Sequence, residues 1–580
     1  MNKQVSQPGK AELRDALRES RKLYWAVGIF SFFANLLMLT GPIYMLNVYD
    51  RVLGSRSIET LIALTVLVAF LYGMMGIMDY VRGRVMARAG ARFQSRLDQR
   101  VFSATMQHAS LGVPEGRNTG QRDLEAVQRL MTSPVLMAFF DIPWTPIFLL
   151  GIFVFHPLLG LLAVVGGVLL IIITLVNQTT TKKPVLEANV AVHQTENLGQ
   201  QFRDEAEMVS SMGMTEAAYR RWRIARDKSL SSTIDSVDVS GTFTALTKSF
   251  RMFLQSAMLG LGAYLVLTTQ GAFSAGAMIA ASIMMGRALA PVELAIGQWA
   301  VVQRATKGWE SLADLLGGIP HTKPKTALPK PKALLEVQQL TVIPPGEKQA
   351  SLRMLSFVVQ PGTAIGVIGT SGAGKSTLAR ALTGVWKPAG GKIRLDGASL
   401  DQYDPENLGR HIGYLPQRLQ LFDGTIAENI ARLSLEPDDE MVVQAAKRAA
   451  AHEMILKLPE GYDTRVSTTS GRLSGGQIQR IGLARAMYGD PVILVLDEPN
   501  SNLDNEGSQA LNAAIKATKA SGRSVLIMAH RPAAIQECEM LLVIEGGARK
   551  AFGPKEEVLR EMVANHKDIA AAGVRKGGVT

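Results

Sequence analysis

Long apolar stretches dominate the first half of the chain. The first, residues 23–46, is too long for a signal-peptide core, and no small-residue cleavage site follows it, so we expect a retained membrane helix. Five more follow at residues 60–78, 135–155, 158–176, 250–267 and 275–295. Each approaches the roughly 20 residues that cross about 30 Å of hydrocarbon. The pattern predicts six transmembrane helices, which return the chain to its starting side.

Two segments between these stretches, residues 82–133 and 179–248, are too long to be hairpin turns. Their cations are Arg82, Arg84, Arg88, Arg92, Arg96 and Arg100 in the first, and Arg220, Arg221, Arg223, Arg226 and Lys228 in the second. By the positive-inside rule both segments and the N-terminus are cytoplasmic. We predict that membrane helices continue well past the lipid and turn back at residues 111–120 and 210–219, where they can touch a cytoplasmic ATPase. The basic surface suits acidic lipid or acidic unfolded cargo, and the pattern does not separate these.

Polar residues near the spans leave two questions open. Leu13, Leu17 and Tyr24 have roughly helical spacing in and beside the basic residues 1–22, which predicts an amphipathic helix on the inner membrane surface or in solvent. Five charged residues lie in or beside the spans: Asp141, Lys248, Arg251, Arg287 and Glu293. They either line a translocation path or mark cytoplasmic ends of spans. Three prolines predict a bend in the third span: Pro134, Pro143 and Pro146.

Composition supports a membrane protein. The 580 residues are 47% hydrophobic, and the mean hydropathy of +0.13 is high for a soluble chain. The net charge of +12 is spread along the chain, which favours a membrane-related explanation over nucleic acid. The single cysteine, Cys538, excludes an intrachain disulfide framework and a multi-cysteine zinc site, and we expect it to be a small core residue.

The pattern changes after residue 316. Residues 317–333 are rich in Pro and Lys, have no apolar periodicity and predict a linker. Short apolar strands and helices follow. One strand, residues 364–368, leads into the sequence GTSGAGKST and then a helix, which is the context that a phosphate-binding loop requires. Its residues are Gly369, Thr370, Ser371, Gly372, Ala373, Gly374, Lys375, Ser376 and Thr377.

The chemistry of this loop follows from its residue types. Glycines let backbone N–H groups converge on a polyphosphate, Lys375 reaches the terminal phosphates, and the Ser376 hydroxyl can bind magnesium. A second buried strand ends in two carboxylates. Asp497 is placed to hold magnesium, and Glu498 to orient the attacking water.

A second anion site is predicted at the sequence LSGGQ, which precedes an amphipathic helix beginning near Ile478. A Ser-Gly-Gly turn at a helix N-terminus offers free N–H groups and a favourable dipole. The residues concerned are Ser474, Gly475, Gly476 and Gln477. Because two phosphate sites would be redundant for one ATP in a monomer, we expect two chains to sandwich two nucleotides.

Together these residues resemble an ATP-binding cassette exporter half-transporter: an all-α six-helix transmembrane domain followed by an α/β P-loop nucleotide-binding domain. The resemblance covers nearly the whole chain, divided into a basic amphipathic segment (1–22), the transmembrane domain (23–316), the linker (317–333) and the nucleotide-binding domain (334–580). It implies that Gln417 binds magnesium and senses the membrane domain, that Asp504 in SNLD communicates across a homodimer, and that His530 contacts the γ-phosphate of ATP.

Within the family, DIPWTPIF in the third span and DEPNSNLD resemble the type I secretion exporters of Gram-negative bacteria, which move proteases and lipases. The resemblance implies an inner-membrane location, a periplasmic adaptor, an outer-membrane channel and a polypeptide cargo with an uncleaved C-terminal signal. Some relatives carry an N-terminal peptidase-like domain; residues 1–22 are too short for one, so we expect no leader-peptide cleavage.

Two stretches depart from the family pattern. Residues 340–349 lack the aromatic residue on which many exporters stack adenine, so we expect apolar contacts such as Val342 and Ile343 instead. Residues 464–472 lack the glutamate usual in drug exporters. Contacts with the intracellular turns are therefore expected to differ.

Two rival functions remain. An exporter of lipid, drug or another small molecule would use the same machinery, and the subgroup motifs argue against it. A membrane-anchored regulatory ATPase would hydrolyse ATP without transport, but six spans with long cytoplasmic extensions are more than an anchor needs. We expect an ATPase that drives polypeptide export and binds no nucleic acid.

Overall fold

The computed structural model describes residues 6–111, 120–269, 273–320, 325–326, 328–466, 473–501, 503, 505–529 and 532–561. The chain divides into two compact units. The first comprises Met1–His108 and Glu115–Pro320, and the second comprises Ala109–Pro114 and His321–Thr580.

The first unit is helical. Its helices are α1 (Ser6–Arg18), α2 (Arg21–Met38), α3 (Thr40–Asn47), α4 (Leu53–Ser55), α5 (Ile58–Ser110), α6 (Gln121–Thr132), α7 (Pro134–Asp141), α8 (Thr145–Phe155), α9 (Pro157–Asp204), α10 (Ala206–Ser211), α11 (Thr215–Thr268), α12 (Ala275–Gly297) and α13 (Trp299–Gly318). Six of the described helical segments are long and apolar enough to cross a membrane: Arg21–Ser55, Ile58–Ser110, Pro134–Phe155, Pro157–Asp204, Thr215–Thr268 and Ala275–Ala295. The predicted six spans are confirmed.

Three helices extend far beyond the length that lipid requires. Helices α5, α9 and α11 contain 53, 48 and 54 residues, against the roughly 20 that span the hydrocarbon. The predicted prolonged helices are therefore confirmed. The break at residues 210–219 is also seen, because α10 ends at Ser211 and α11 begins at Thr215, with Gly213 in a left-handed conformation between them. Most of the other break, residues 112–119, lies outside the described residues.

The third span is bent where its prolines predict. A single 3₁₀ turn, Ile142–Trp144, separates α7 from α8. Pro143 and Pro146 lack the N–H groups that would continue the α-helical hydrogen bonds, which explains the interruption. The first span is interrupted as well: α2 gives way to α3 at Leu39, and a π-helical turn follows at Val48–Val52.

The N-terminal helix α1 is amphipathic, but protein covers its apolar face. Leu13 is fully buried in a cluster with Phe93 of α5 and Leu312 of α13. A Cβ atom at Gly9 would overlap the carbonyl oxygen of Ala313, so the two helices approach at backbone distance. The prediction that this face lies on a membrane surface or in solvent is wrong, because α13, absent from the sequence-based assignment, supplies an apolar partner.

The charged residues near the spans are partly paired. An Asp141 carboxylate oxygen accepts hydrogen bonds from Arg82 Nη1 at 2.9 Å and from Asn35 Nδ2 at 2.6 Å. Arg251 pairs with Glu293 at 2.9 Å. The other two predicted charges, Lys248 and Arg287, are exposed. Five helices are thus tied in two groups, α2 with α5 and α7, and α11 with α12. A lining role for any of these charges stays a prediction.

The second unit is α/β. Its elements are β1 (Leu335–Val342), β2 (Leu352–Val359), β3 (Ala364–Ile368), α14 (Lys375–Leu382), β4 (Gly390–Leu395), β5 (Ala398–Ser399), α15 (Pro405–His411), β6 (Ile412–Leu415), β7 (Gly424–Thr425), α16 (Ile426–Ile430), α17 (Asp439–Arg448), α18 (His452–Leu456), β8 (Arg465–Val466), α19 (Gly475–Met487), β9 (Ile493–Asp497), α20 (Asn505–Ala520), β10 (Ser524–Ala529), β11 (Met540–Glu545) and β12 (Ala548–Pro554). The main sheet has the order β12-β11-β3-β10-β9-β6, parallel except for β12.

Alternate residues of the parallel strands enter two cores. In β9, Leu494 and Leu496 face one cluster, whereas Ile493 and Val495 face the other. Burial on both faces explains the continuous apolar runs in the sequence. Cys538 is buried in one core, and burial raises the pKa of its thiol to about 12, which confirms a small core residue. A smaller antiparallel sheet has the order β2-β1-β4-β5.

Candidate nucleotide-binding site

The loop between β3 and α14 has the geometry of a phosphate cradle. Gly372 and Gly374 have φ angles of 78° and 102°, which side chains of L-residues rarely adopt. A Cβ atom at Gly374 would also lie 2.7 Å from Leu352 Cδ2. A Cβ atom at Gly369 would overlap the Ile544 carbonyl oxygen. Glycine is therefore required at these positions, and the predicted loop followed by a helix is confirmed.

Lys375 is held within this loop. Its buried Nζ donates hydrogen bonds to the carbonyl oxygens of Gly369 at 2.8 Å and Thr370 at 3.0 Å. Burial lowers the pKa of Lys375, while the nearby carboxylates of Glu498 and Asp497 oppose this shift. The ammonium group is thus fixed at the first turn of α14, beside the amides that a phosphate would meet.

Ser376 and Asp497 meet at the carboxyl edge of the sheet. Strands β3 and β9 both flank β10, so the loop after β3 lies near the end of β9. The Ser376 hydroxyl lies near the buried Asp497 carboxylate. Burial, the larger effect, raises the pKa of Asp497, whereas this hydroxyl lowers it.

The donor set at this edge fits magnesium. Mg²⁺ prefers oxygen ligands and is usually held by one or two protein groups together with phosphate and water. The Ser376 hydroxyl and the Asp497 carboxylate, which lie near each other, provide such a pair. Among the described residues no group of three or more His, Cys, Asp and Glu side chains could hold a metal ion by itself.

Glu498 has an unusual backbone conformation. Its φ angle is 51°, in the left-handed region that costs a non-glycine residue about 1 kcal/mol. Three hydrogen bonds hold its backbone there. Its N–H donates to the Met528 carbonyl oxygen at 3.0 Å, and its carbonyl oxygen accepts from the Ser501 N–H at 3.2 Å and from Gln479 Nε2 at 3.4 Å. Gln479 was not predicted from the sequence. The available signal was a glutamine among the apolar positions of helix α19, which indicates a polar partner in the core.

The predicted second anion site lies at the start of α19. Ser474 is the N-cap residue, and its Oγ accepts from the Gln477 N–H at 3.3 Å. Gln477 Oε1 in turn accepts from the Ser474 N–H at 2.8 Å. The amides of Gly475 and Gly476 occupy the first two helical positions, where a helix provides no partner of its own. The helix begins at Gly475, three residues before the predicted Ile478.

The structure describes only some of the remaining predicted residues. Gln417 is exposed just beyond β6, which pairs with β9 at the same sheet edge. Asp504, His530 and residues 467–472 lie outside the described residues. Val342 is fully buried in the core, so the prediction that it contacts adenine is wrong, because strand alternation turns it inward. Ile343, the next residue, is exposed.

Comparison with known proteins agrees with this architecture. Residues 352–501 match the family model of ABC transporters, and residues 24–289 match that of the ABC transporter transmembrane region. The chain is 41% identical over 560 residues to the type I secretion system ATP-binding protein PrsD of Rhizobium meliloti, covering 96% of each chain. It is 28% identical to the toxin RTX-I translocation ATP-binding protein of Actinobacillus pleuropneumoniae, covering 94% of this chain and 78% of that protein.

A solved structure has the same fold. The structure of a bacterial Atm1-family ABC exporter with ATP bound matches with a TM-score of 0.78 and 22% identity, over 97% of this chain and 99% of that one. The resemblance drawn from the sequence is therefore confirmed, and so are the fold class and the use of ATP. The chain is a multi-pass membrane ATPase that couples ATP hydrolysis to transport, and it belongs to the ATP-binding cassette exporters of the type I secretion group.

Proposed function

We propose that this chain is the ABC component of a type I secretion system and exports a polypeptide across the bacterial inner membrane. The observation that carries the proposal is the similarity to PrsD, which extends over 96% of both chains rather than over the ATPase alone. The basic long segments, including the exposed Arg84, Arg88 and Arg92, favour a cytoplasmic N-terminus and nucleotide-binding domain.

The site residues divide the chemistry of ATP hydrolysis among them. The loop from Gly369 to Thr377 cradles the phosphates, and Lys375 neutralises their charge. Ser376, Asp497 and Gln417 would hold magnesium, which supplies positive charge to the β- and γ-phosphate oxygens. Glu498 orients the attacking water. His530 contacts the γ-phosphate.

A second copy of the chain completes each site. One chain carries two anion sites on separate elements, the loop before α14 and the turn before α19. In a homodimer the partner's Ser474, Gly475 and Gly476 would face the phosphate loop, and Asp504 would communicate across the interface. ATP binding then closes the two nucleotide domains, and hydrolysis with phosphate release opens them.

Export follows when this closure reaches the spans. The turns at residues 111–120 and 210–219 would transmit the motion, so that the affinities of the two states for cargo give access on two sides of the membrane. A periplasmic adaptor and an outer-membrane channel would complete the route. The cargo would carry an uncleaved C-terminal signal.

The test compares the proteins released by cells that carry wild type, Lys375→Ala and a matched control, Lys516→Ala. Lys516 is exposed on α20, away from the phosphate loop. We expect Lys375→Ala to remove one or a few proteins from the medium, and Lys516→Ala to remove none. An unchanged set of released proteins in Lys375→Ala cells would overturn the secretion function. Transport of lipid or drug by reconstituted vesicles, with no release of protein, would favour the small-molecule alternative.

A further inference from the structure

The chain between the two units is held at its membrane end. Helix α13 ends at Gly318, and the last carbonyl groups of a helix lack helical partners. Arg100 Nη2 of α5 donates to the carbonyl oxygens of Leu316 at 3.4 Å and Ile319 at 2.5 Å. Leu316 is itself buried, in the cluster that also contains Phe93 of α5. The chain is therefore fixed up to Ile319.

The nucleotide unit binds the chain again at Lys325. The Nζ atom of this lysine donates to the carbonyl oxygens of Asp401 at 2.6 Å and Tyr403 at 2.8 Å. These two carbonyl groups lie at and just after a single 3₁₀ turn, Leu400–Gln402, whose end supplies no N–H donors of its own. The ammonium group thus fills two acceptor positions that the backbone leaves open.

The residues that accept Lys325 are themselves held in place. Ser399 caps the 3₁₀ turn, and its N–H donates to Gln402 Oε1 at 3.1 Å. The Tyr403 side chain is buried, and its hydroxyl donates to a carbonyl oxygen of β4 at 3.0 Å. The pKa of Asp401 is lowered, mainly by a hydrogen bond from Ser399 and in part by the charge of Lys325. Lys325 therefore meets a fixed pair of carbonyl oxygens and a nearby negative charge.

The other described lysines of residues 317–333 do not bind in this way. Lys330 and Lys332 are exposed, and neither side chain makes a hydrogen bond within the described part of the chain. The next hydrogen bond after Lys325 that holds this stretch is made by the backbone N–H of Lys332, which donates to Asp396 Oδ2 at 3.0 Å. Seven residues further along the chain would thus be the first anchor if Lys325 were released.

The position of Lys325 decides the length of the free connection, which we call the tether. Five residues, 320–324, separate Ile319 from Lys325, and an extended chain of that length reaches roughly 20 Å. Without the bonds of Lys325 the tether would comprise twelve residues, 320–331, and would reach roughly 45 Å. The lysine therefore shortens the tether by more than half.

We propose that Lys325 is a clamp that sets the length of the tether between the membrane unit and the nucleotide domain. This inference rests on the proposed homodimer, in which two nucleotide domains must meet around ATP and separate afterwards. A short tether limits their separation, so their effective concentration stays high before ATP binds. Because effective concentration falls roughly as the −3/2 power of linker length, release of Lys325 lowers it about three- to fourfold.

Lys325→Gln tests the clamp in the full-length chain reconstituted in lipid. We expect KM for ATP to rise about three- to fourfold, because ATP must bring together domains that start farther apart. The kcat at saturating ATP should change less than about twofold, since no group of the phosphate site is altered. Lys330→Gln is the matched control, which removes the same charge from the same stretch and should change neither quantity. Lys325→Arg keeps a charged donor and should restore most of the wild-type KM.

The distance between the two nucleotide domains provides a readout that does not depend on activity. A spin label at Lys516→Cys in a Cys538→Ala background gives one distance per homodimer, because Cys538 is the single cysteine and Lys516 is exposed. Without nucleotide, Lys325→Gln should shift the distances to larger values and broaden their distribution, whereas Lys330→Gln should not. With a non-hydrolysable ATP analogue bound, the distributions of both variants should coincide with that of the wild type.

Proteolysis tests the clamp without the homodimer. Cleavage by proteinase K within residues 326–331, located by mass spectrometry, should be about tenfold faster in Lys325→Gln than in the wild type or Lys330→Gln. The reason is that local opening of this stretch no longer requires release of the lysine.

Two results would overturn the inference: cleavage rates equal in Lys325→Gln and Lys330→Gln, or faster cleavage with unchanged distances and KM. A wild type without dipolar coupling between its labels would overturn the homodimer and the inference with it. ATP hydrolysis by the wild type without release of protein would overturn the secretion function while leaving the clamp intact. The three failures are therefore distinguishable.

Discussion

Three arginines from the two units of the chain, Arg82, Arg251 and Arg432, meet different partners. In the membrane-spanning unit Arg82 meets the Asp141 carboxylate and Arg251 meets that of Glu293. In the nucleotide unit Arg432 donates to backbone carbonyl oxygens instead, at 3.2 Å to Arg485 and 3.3 Å to Ala486. Burial lowers the pKa of Arg432. Carboxylates thus neutralise Arg82 and Arg251, whereas carbonyl oxygens accept from Arg432. The carboxylates at the end of β9 are proposed to serve ATP hydrolysis instead.

The position of each cation along its neighbouring helix explains the difference. Carbonyl groups in the middle of a helix are used by the helix, and only the last four lack partners. Arg82 meets side chains of the neighbouring spans, the Ser31 hydroxyl and the Asp141 carboxylate. Arg432 reaches the last turn of α19. Arg100, in the first unit, obeys the same rule: it donates to the Leu316 carbonyl oxygen near the end of α13 and also meets Glu12.

The largest expected effect concerns the carboxylate kept for chemistry. Glu498→Gln preserves the shape of the side chain and all three backbone hydrogen bonds, so we expect unchanged thermal stability and ATP binding. Turnover should fall at least ~100-fold, because the water loses its positioned base. Phosphate release and binding of a fluorescent nucleotide measure the two quantities. The exposed Glu557→Gln is the matched control, and normal hydrolysis by Glu498→Gln would remove Glu498 from its role.

Replacing a carboxylate of the spans is expected to lower stability and to leave ATP binding unchanged. Asp141→Leu removes the acceptor that Arg82 and Asn35 share, and it leaves Arg82 with Asp79, at 3.0 Å, as its carboxylate partner. Breaking a buried ion pair costs roughly 3–5 kcal/mol, and the remaining pair with Asp79 reduces that loss. We expect a large fall in the thermal midpoint of the detergent-solubilised chain. ATP affinity of the molecules that stay folded should not change, because the phosphate loop is intact.

A double variant checks that the loss comes from the broken ion pair between Arg82 and Asp141. Arg82→Met/Asp141→Leu removes both charges at similar volume, and such replacements of buried pairs are often neutral or stabilising. We expect its thermal midpoint to return close to that of the wild type. If the double variant is as unstable as Asp141→Leu, the ion pair is not what the surrounding helices need.

Sequence patterns predicted the two units unequally. In the nucleotide unit, local motifs predict both the secondary structure and the position of the functional residues. A glycine-rich loop between a buried strand and a helix places Lys375 and Ser376 at the start of that helix. In the spans, hydropathy predicts the six crossings and the proline break, but lipid and protein are equally apolar. Which faces meet was therefore not predictable, and the pairing of Arg82 with Asp141, 59 residues apart, was missed.

The errors have the same physical origin. Helix α1 was expected on lipid or in water because its partner, α13, is far away in sequence and has no motif. Val342 was expected at adenine because it lies in residues 340–349, where many exporters have the aromatic residue that stacks on adenine. Alternation along β1 instead turns its side chain into the core. Gln479 was overlooked because its role depends on the loop after β9. Contacts between residues that are distant in sequence cannot be predicted from local sequence patterns.

An intermediate effect is expected for the carbonyl-bound cation. Arg432→Met removes charge-assisted hydrogen bonds from the end of α19, and we expect a loss of about 2 kcal/mol. Arg432→Lys keeps the charge but cannot serve several carbonyl groups with one fork, so it should recover less than half of that loss. Denaturant unfolding of the full chain measures both variants. Equal stability of lysine and arginine would show that charge alone matters there.

The smallest effect is expected for Arg251 and Glu293, whose side chains are 33% and 32% exposed. We expect both groups to meet water at the cytoplasmic ends of their spans, so a double-mutant cycle with alanine should give a coupling energy of about 1 kcal/mol. Raising the salt concentration to about 1 M should weaken it, since the Debye length there is only about 3 Å. Thermal midpoints at two salt concentrations provide the measurement. A salt-independent coupling near 3 kcal/mol would instead group this pair with Arg82 and Asp141, as a buried tie between spans.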